Sequence, residues 1–230
     1  MLCLRIASIT TTWNKYFGKR ISIFAESNFD KNMKRQESAS LPTKYGEFEM
    51  ITFKSEFNDF PHVVLFSKTD YSDIPAVRVH SECMTGDVFS SGRCDCGEQL
   101  DAAMEYVAKY GGLIIYLRQE GRGIGLNNKL LAYNLQDQGY DTYAANEKLG
   151  LHQDNRNFTI AADILKELSI QKINLLTNNP DKVQQLKESG IKIEKRIPIE
   201  IKALDSNRSY LQTKKDQKGH ILDQFSKKHN

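Results

Sequence analysis

The amino-acid sequence predicts an α/β fold (α+β) in which a mixed β-sheet is flanked by helices. Short apolar runs at 62–66 and 113–117 have the length and composition of buried strands. The segment 100–108 instead repeats apolar residues at the i, i+3, i+4 and i+7 spacing of an amphipathic helix. A chain of 230 residues is long enough for one domain with a real core. The sequence contains no internal repeat, so a single domain is predicted.

The first half of this domain is expected to be rich in strands. Strands are predicted at 48–53, 62–66, 74–82 and 113–117. The strand at 74–82 delivers Glu82 and Cys83 to its end, and a loop or short helix follows at 84–89. A helix then begins at Gly97 and ends at Gly111, because glycine is favoured directly after a helix.

The second half alternates helices with short extended segments. Helices are predicted at 126–138, at 144–149, from 160 to 168, from Pro180 onward and at 206–225. A buried strand is expected at 173–176, and the segment 191–201 is expected to be extended and broken at Pro198.

The two ends of the chain differ from the middle. Residues 1–40 are predicted to be a poorly ordered extension, because the sequence up to Ala25 contains basic residues and no acidic one. This bias is typical of a transit peptide, but Met33 is also a natural start, so residues 1–32 are interpreted as a targeting segment, a dispensable extension or a mis-set start. The domain is expected to span 41–222, and residues 223–230 are expected to form a frayed tail.

Composition narrows the class of protein. A net charge of +3, with basic and acidic residues interleaved, gives no support for nucleic-acid binding. No run of eighteen apolar residues occurs, so no membrane span is expected. Four cysteines, three of them clustered, favour a reducing compartment and a metal over a disulfide scaffold. A cytoplasmic protein is therefore predicted.

The clustered cysteines are Cys83, Cys94 and Cys96, with the spacing C-x10-C-x-C. Three thiolates and one open position are what a catalytic zinc site needs, whereas a structural zinc is usually closed by a fourth protein ligand. A C-x-C pair cannot easily form a disulfide, and we expect Gly92 and Gly97 to supply a turn that brings both thiols to one metal. The alternative is three buried or redox-active cysteines without a metal.

A second motif is the glycine-rich turn from Arg118 to Gly125, which carries Glu120 and Arg122. Arginine beside the N–H groups of such a turn often binds phosphate. The chain has no G-x4-G-K-[ST] loop, and the turn does not match G-x-G-x-x-G, so this motif alone is only a weak indication of phosphate binding.

Together these motifs resemble GTP cyclohydrolase II of riboflavin biosynthesis. The resemblance rests on RVHSEC, RCDCGEQL, RQEGRGIGL, LQDQGYDT and LLTNNPDKV, in family order, and covers about 41–222. It implies one GTP cyclohydrolase II-like domain, a homodimer, and zinc-dependent hydrolysis of GTP that opens the imidazole ring of guanine. The implied products are formate, diphosphate and 2,5-diamino-6-(5-phosphoribosylamino)pyrimidin-4-one, in the first step of riboflavin biosynthesis.

The resemblance also implies roles for individual residues. It makes Cys83, Cys94 and Cys96 the ligands of one Zn²⁺, with water in the fourth position, and Mg²⁺ the companion of the triphosphate. The positions that match GTP contacts are Arg78, Val79, His80, Ser81, Glu82, Gln99, Glu120, Gly121, Arg122, Thr142, Thr177 and Lys182. Chemically, Glu82 and Gln99 suit the guanine edge, whereas Arg78, Arg122 and Lys182 suit the triphosphate.

Three further residues match catalytic positions of the family. Asp154 and Arg156 correspond to a proton acceptor and a nucleophile, but a guanidinium stays protonated in proteins, so Arg156 is equally interpreted as a clamp on the α-phosphate. Tyr133 favours the complete reaction over that of relatives which stop at the ring-opened formamide. Without the resemblance these residues would be interpreted as a helix cap, a surface charge and a core tyrosine.

Rival interpretations remain open on the sequence. The chain could be a homologue that stops at the formamidopyrimidine product, or an inactive paralogue. It could also be a non-catalytic zinc module that binds nucleotides or RNA, with His80 as the fourth zinc ligand. Two positions, Asn155 and Asp181, depart from residues common in the family. The first forty residues are too short to hold the enzyme module that is often fused to family members.

Overall fold

The structure is a computed structural model that describes residues 33–54, 60–71, 73–152 and 154–225, with only the backbone of Tyr143. Expectations for residues 1–32 and 226–230 lie outside the described residues. The strands are β1 (Lys34–Thr43), β2 (Gly46–Lys54), β3 (His62–Ser67), β4 (Ala76–Ser81), β5 (Gly112–Leu117), β6 (Lys172–Leu176) and β7 (Lys192–Ile197). They form one seven-stranded sheet in the order β1-β2-β3-β5-β4-β6-β7.

The sheet has an antiparallel half and a parallel half. Strand β1 pairs with β2, β2 with β3 and β3 with β5, each in antiparallel fashion. Strand β4 lies between β5 and β6 and is parallel to both, and β6 is parallel to β7. The carboxyl ends of β4, β5 and β6 therefore meet at one edge, which is where open α/β sheets bind ligands.

The helices cover both faces of this sheet. They are α1 (Met84–Asp87), α2 (Cys96–Tyr110), α3 (Leu126–Gln136), α4 (Thr142–Lys148), α5 (Thr159–Glu167), α6 (Pro180–Glu188) and α7 (Arg208–Lys218). On one face, Val107 of α2 packs in a cluster with Phe48 and Ile114. On the other, Ile164 of α5 and Leu186 of α6 pack in a cluster with Val77, Ile115 and other strand residues. The prediction of a mixed sheet flanked by helices is confirmed.

The domain begins earlier than the sequence indicated. Strand β1 starts at Lys34, so the expected boundary at residue 40 lies seven residues too late. The segment 34–43 pairs antiparallel with β2 through a hairpin that closes at Thr43 and Gly46. Its polar composition hid the strand, because β1 is an edge strand and most of its side chains are exposed.

The carboxyl-terminal region also differs from its prediction. Helix α7 ends at Gly219, which has a left-handed φ of 61°, so the helix is shorter than the predicted 206–225. Residues 223–225, expected in a frayed tail, form a 3₁₀ turn. Gln224 ties this turn down, since its side chain accepts from the Ala203 N–H at 2.9 Å and donates to the Ile201 carbonyl at 2.8 Å.

The described helices include none with the length and apolar character needed to cross a bilayer.

Candidate active site

One pocket lies at the carboxyl edge of the parallel strands. Its wall combines the end of β4, the glycine-rich turn after β5, the loop after β6, and residues of α3, α4 and α7. Every site residue that the sequence singled out lines this pocket except Val79 and Asp154. The Val79 side chain lies in the core, and Asp154 is bonded to Arg156, which does line the pocket.

The three predicted thiols converge at one end of the pocket, which we call the thiol end. The sulfur atoms of Cys83, Cys94 and Cys96 all lie within 4.8 Å of one another. The Cys83 and Cys94 sulfurs are 3.6 Å apart, far beyond the roughly 2.0 Å of a disulfide. Tetrahedral zinc with Zn–S bonds of about 2.3 Å separates its sulfur ligands by about 3.8 Å. The spacing and the donor set therefore fit a thiolate-bound metal ion.

His80 does not complete this cluster. Its Nε2 lies 3.1 Å from Asp87 Oδ1, and its ring stacks on Tyr116 with centroids 5.5 Å apart. Over the part of the chain that the structure describes, the group of side chains close enough to share one metal contains the three thiols and no histidine or carboxylate. The geometry of a closed structural zinc site with His80 as a ligand is therefore not present.

Asp87 holds the first thiol in place. Its Oδ2 accepts the Cys83 backbone N–H at 2.9 Å and the Tyr116 hydroxyl at 2.8 Å. The carboxylate is almost fully buried, and His80 contacts it from the remaining side. This network fixes the backbone that carries Cys83. Sequence reasoning missed Asp87 and Tyr116, although Asp87 lies one helical turn after Cys83.

Lys129 links the thiols to the glycine-rich turn. Its ammonium donates to Cys83 Sγ at 3.1 Å and to Glu120 Oε1 at 2.9 Å. The other oxygen of Glu120 accepts the Met84 N–H at 2.6 Å. Hydrogen bonds from the neighbouring thiols, and then the charge of Lys129, hold the pKa of the Cys83 thiol far below its ordinary value. Glu120, predicted to contact GTP, is thus already bonded on both oxygens.

Two glycines allow the thiol loop to be this compact. A Cβ on Gly97 would lie 2.3 Å from the Gly86 carbonyl oxygen, and a Cβ on Gly86 would lie 3.0 Å from Cys94 Sγ. Helices α1 and α2 therefore meet backbone to backbone. Neither Gly92 nor Gly97 has a positive φ. Gly92 does lie in a turn before Cys94, as expected, but this turn uses ordinary backbone angles, and Gly97 is required by close packing.

The glycine-rich turn is strained at a residue of the predicted site. Arg122 has a φ of 62°, between Gly121 at 61° and Gly123 at 87°. A left-handed conformation at a non-glycine residue costs on the order of 1–3 kcal/mol and is commonly found at ligand sites. The Asn155 N–H donates to the Arg122 carbonyl at 2.9 Å and helps to hold this conformation.

Buried cations occupy the other end of the pocket, which we call the cation end. Arg78 and Lys182 are each 5% exposed. Arg78 donates to the Leu176 carbonyl at 3.2 Å and to Gln99 Oε1 at 2.6 Å, and Lys182 donates to the Val79 carbonyl at 2.7 Å. Neither forms a salt bridge with a carboxylate of the described residues. Buried charge without a counter-charge is costly, so this end is suited to an anion.

The pKa values at the cation end reflect this shortage of negative charge. Burial lowers the pKa of Arg78 to about 10. Burial, and then the charges of Arg78, Arg156 and Lys214, push the pKa of Lys182 well below its ordinary value. An anion bound here would relieve this repulsion and hold both groups in their charged forms.

Arg156 and Asp154 form a bidentate ion pair beside these cations. The Arg156 Nε and Nη2 atoms donate to the two oxygens of Asp154 at 2.9 and 2.5 Å. Although burial opposes it, the bonds and charge of Asp154 raise the pKa of Arg156. The ion pair therefore favours the protonated form of the Arg156 guanidinium, which is a poor nucleophile.

Tyr133 reaches toward the thiol end from α3. Its hydroxyl lies 3.4 Å from Thr85 Oγ1, and that oxygen lies 3.6 Å from Cys83 Sγ. The Arg93 guanidinium lies 4.8 Å from the centre of the Tyr133 ring and bonds to Asp137 at 2.8 Å. Tyr133 lines the pocket and is only half-buried, so it is not the core tyrosine that its position alone would suggest.

The remaining predicted residues lie at the pocket wall. Glu82 follows the end of β4 and pairs with Arg118 at 3.1 Å. Thr142 is the first residue of α4. Thr177 is buried, and its hydroxyl accepts the Asn179 N–H at 3.0 Å in the turn before α6. These positions fit substrate contacts, which stay a prediction.

Comparison with known proteins identifies the family. A family model described as GTP cyclohydrolase II matches residues 34–198. A GTP cyclohydrolase-2 of Campylobacter fetus subsp. fetus is 49% identical over 190 residues, which cover 82% of this chain and 96% of the relative. The chain belongs to the GTP cyclohydrolase II family, a family of hydrolases, and the resemblance in its motifs is confirmed.

Other relatives are longer proteins. The riboflavin biosynthesis protein RibBA of Staphylococcus epidermidis is 47% identical over 191 residues, which cover 83% of this chain and 48% of the relative. That of Bacillus subtilis is 48% identical over 198 residues, covering 85% and 50%. The chain thus spans about half the length of the RibBA relatives that it matches.

Proposed function

We propose that the protein hydrolyses GTP, opens the imidazole ring of guanine and releases formate and diphosphate. The organic product is 2,5-diamino-6-(5-phosphoribosylamino)pyrimidin-4-one, in the first step of riboflavin biosynthesis. One observation carries the proposal: a single pocket has three clustered thiols at one end and buried cations without carboxylate partners at the other. A metal-dependent reaction on a polyanionic substrate needs both. Family membership supports the same reaction.

The thiol end is proposed to hold Zn²⁺ through Cys83, Cys94 and Cys96, because thiolates are preferred zinc ligands. When bound, the zinc supplies an activated water for hydrolysis at carbon 8 of guanine. Asp87 and Lys129 fix the position of the Cys83 thiolate. The Tyr133 hydroxyl is the nearby group that can hold or pass a proton during ring opening.

The cation end is proposed to bind the triphosphate through Arg78, Arg122 and Lys182. Arg156 is proposed to clamp the α-phosphate and to stabilise the charge that develops on the departing diphosphate. Its pairing with Asp154 keeps it protonated for that role. A phosphoramidate trapped on Arg156 under single-turnover conditions would overturn the clamp and support a covalent route.

Magnesium is proposed to arrive with the substrate. The carboxylates of Glu82, Glu120 and Asp154 are each paired with a cation of the protein. Phosphate oxygens and water therefore supply the ligands for Mg²⁺. Glu82 is proposed to accept from N1–H and N2–H of guanine, which requires it to exchange its bond to Arg118. We propose a homodimer, as the family resemblance implies, that acts in the cytoplasm, since the clustered free cysteines favour a reducing compartment.

The test is the stoichiometry of turnover. Zinc-loaded protein is incubated with GTP and Mg²⁺, and formate and diphosphate are measured against GTP consumed, with Cys94→Ser as the control. We expect one formate and one diphosphate per GTP, and no turnover by the control. Diphosphate without formate would identify the homologue that stops at the formamidopyrimidine. No turnover by folded, zinc-loaded protein would support a binding module instead.

A further inference from the structure

Helix α7 lines the pocket although it lies beyond the residues that the family model matches. The match ends at residue 198, and α7 spans Arg208–Lys218. Tyr210, Lys214 and Lys218 are spaced at i, i+4 and i+8, so they share one face of the helix. All three line the pocket. The sequence predicted only a polar helix here, and none of the motifs that carry the resemblance includes these residues.

Lys214 joins α7 to the loop that carries the thiols. Its ammonium donates to Asp95 Oδ1 at 2.7 Å, and the two side chains are only 13% and 2% exposed. Asp95 lies between Cys94 and Cys96 in the sequence. A buried pair of this kind requires α7 to keep one position relative to the thiols.

The bonds continue from Asp95 to the cation end. Asp95 Oδ2 accepts from Gln99 at 2.5 Å, and Gln99 Oε1 accepts from Arg78 at 2.6 Å. Lys214, Asp95, Gln99 and Arg78 thus form a continuous chain of hydrogen bonds from α7 through α2 to β4. Each link polarises the next and reinforces the arrangement.

The segment after α7 is anchored to the opposite wall. Leu211 of α7 is buried against Ala203 and Leu222. The Ile221 N–H donates to the carbonyl of Asn178 at 2.9 Å, in the loop that follows β6. The helix is therefore held at both its start and its end, and its inner face is a fixed wall of the pocket.

This wall adds positive charge to the cation end. Lys214 is one of the groups that lower the pKa of Lys182, so the two ammonium groups lie within electrostatic reach of each other. The Tyr210 ring is close to two cations, with Lys214 Nζ at 4.4 Å and the Arg122 guanidinium at 5.9 Å from its centre. Lys218 continues this line by one helical turn.

We propose that α7 is a substrate-binding element in which Lys218 contacts the phosphate chain and Lys214 is a positioning residue that holds α7 against Asp95. This inference rests on the proposed function, since it takes the polyanion in the pocket to be the triphosphate of the substrate.

The experiment compares Lys218→Met with Lys215→Met. Lys215 lies on the same helix, does not line the pocket, and loses the same charge when replaced. The measurements are the KM for GTP, kcat, and the inhibition constant of inorganic tripolyphosphate, which has phosphates but no nucleoside. We expect Lys218→Met to raise both KM and the inhibition constant about tenfold with little change in kcat, and Lys215→Met to change each by less than about twofold.

Two results would overturn the proposal. If Lys218→Met behaves like Lys215→Met, Lys218 does not bind substrate. If its KM rises while the inhibition constant of tripolyphosphate is unchanged, α7 contacts the nucleoside and the phosphate assignment is wrong.

A second pair of variants tests Lys214. Lys214→Met leaves the buried Asp95 without its partner, so it is compared with the double variant Asp95→Asn/Lys214→Met, which removes both charges. We expect the double variant to recover the unfolding midpoint but not the affinity for tripolyphosphate. Wild-type affinity in the double variant would exclude a positioning role for Lys214.

Failure of the proposed function is separable from failure of this inference. Tripolyphosphate binding can be followed by the shift of the unfolding midpoint, without turnover. If the wild-type protein does not consume GTP but tripolyphosphate binding still depends on Lys218, the reaction is wrong and the phosphate-binding role of α7 stands. If GTP is consumed and neither assay depends on Lys218, the proposed reaction stands and the phosphate-binding role of α7 is wrong.

Discussion

The two ends of the pocket satisfy their polar groups in opposite ways. At the thiol end, the charged side chains are paired with groups of the protein itself. Asp87, Glu120 and Lys129 each form hydrogen bonds with neighbouring side chains or backbone N–H groups. At the cation end, Arg78 and Lys182 are just as buried but reach only neutral acceptors. A metal ion that stays bound requires a binding site whose surrounding groups are all supplied and oriented by the protein. A substrate that enters and leaves requires instead a site whose positive charges have no counter-charge until the anionic substrate binds.

The contrast has an energetic consequence. Removing one partner of a buried ion pair costs about 3–5 kcal/mol, because it strands the other charge. Removing a buried charge that has no counter-charge ends a repulsion instead. Lysines at the two ends of one pocket should therefore respond oppositely to the same substitution, which makes the comparison testable.

The largest effect is expected for Lys182→Met. Truncating a buried charge that binds an ionic ligand costs about 2–5 kcal/mol, so kcat/KM for GTP should fall about 10²- to 10³-fold. The free energy of unfolding without ligand should be unchanged or higher, because the cost of burying the Lys182 charge, and then its repulsion from Arg78 and Arg156, is removed. Steady-state kinetics and urea denaturation measure the two quantities. A less stable protein with normal kinetics would contradict the comparison.

Lys129→Met should instead lower the stability of the protein. It strands Glu120 and removes a donor to Cys83, so the free energy of unfolding of metal-free protein should fall by about 2–3 kcal/mol. The Lys129 and Glu120 side chains are both about one-tenth exposed, which places the expected cost below that of a fully buried pair. Glu120→Gln/Lys129→Met should recover part of the loss. No loss in the single variant would show that the thiol end is not completed by these bonds.

Asp87→Asn should weaken metal retention by about 10- to 100-fold, as is typical when a group that orients a metal ligand is changed. Asparagine keeps the size of the side chain but has one oxygen where Asp87 uses two. Zinc release to a colorimetric chelator measures the effect. Glu98→Gln, with the same charge change at an exposed residue early in α2, serves as the control. Equal zinc release from both variants would show that Asp87 does not help to hold the metal ion.

The smallest energetic effect, but a distinct chemical one, is expected for Tyr133→Phe. Its hydroxyl makes one long contact, at 3.4 Å to Thr85, so stability should change by less than about 1 kcal/mol. The product should shift toward the formamide, because the hydroxyl that is proposed to handle protons near the thiols is gone. Formate yield per GTP is the measurement, with the exposed Tyr110→Phe as the control. A normal formate yield would remove Tyr133 from the chemistry.

The sequence could predict the parts of the site whose residues lie close together along the chain, but not the parts that are brought together only by tertiary packing. The thiols lie within fourteen positions of one another, and a spacing pattern is enough to find them. Arg78 and His80 share one face of β4, which the period-two pattern of a strand predicts. Lys129, Asp87 and Asp95 carry no such signal, because their partners are set by how α1, α2, α3 and α7 pack. A polar side chain that is buried only by tertiary contacts looks like a surface residue in the sequence.

The fold shows the same division. The buried strands and amphipathic helices were predicted with the correct type because their apolar periodicity is internal to each segment. Strand β1 was missed because its stability comes from pairing with β2, and its own sequence is that of an exposed segment. The end of α7 was misplaced because Gly219 stops the helix while polar residues continue beyond it.

The position of β4 between β5 and β6 also sets the order in which the protein can assemble. The thiols require only a short loop to close, whereas Arg78 contacts Leu176 across 98 positions, and Lys214 contacts Asp95 across 119. Closing long loops is slow, because entropy is lost before distant contacts reward it. During synthesis the thiols emerge from the ribosome long before α7 does. If the thiols bind zinc as proposed, we expect zinc capture to precede the appearance of tripolyphosphate binding when refolding is followed in time, so that the metal would act in folding before the substrate site forms.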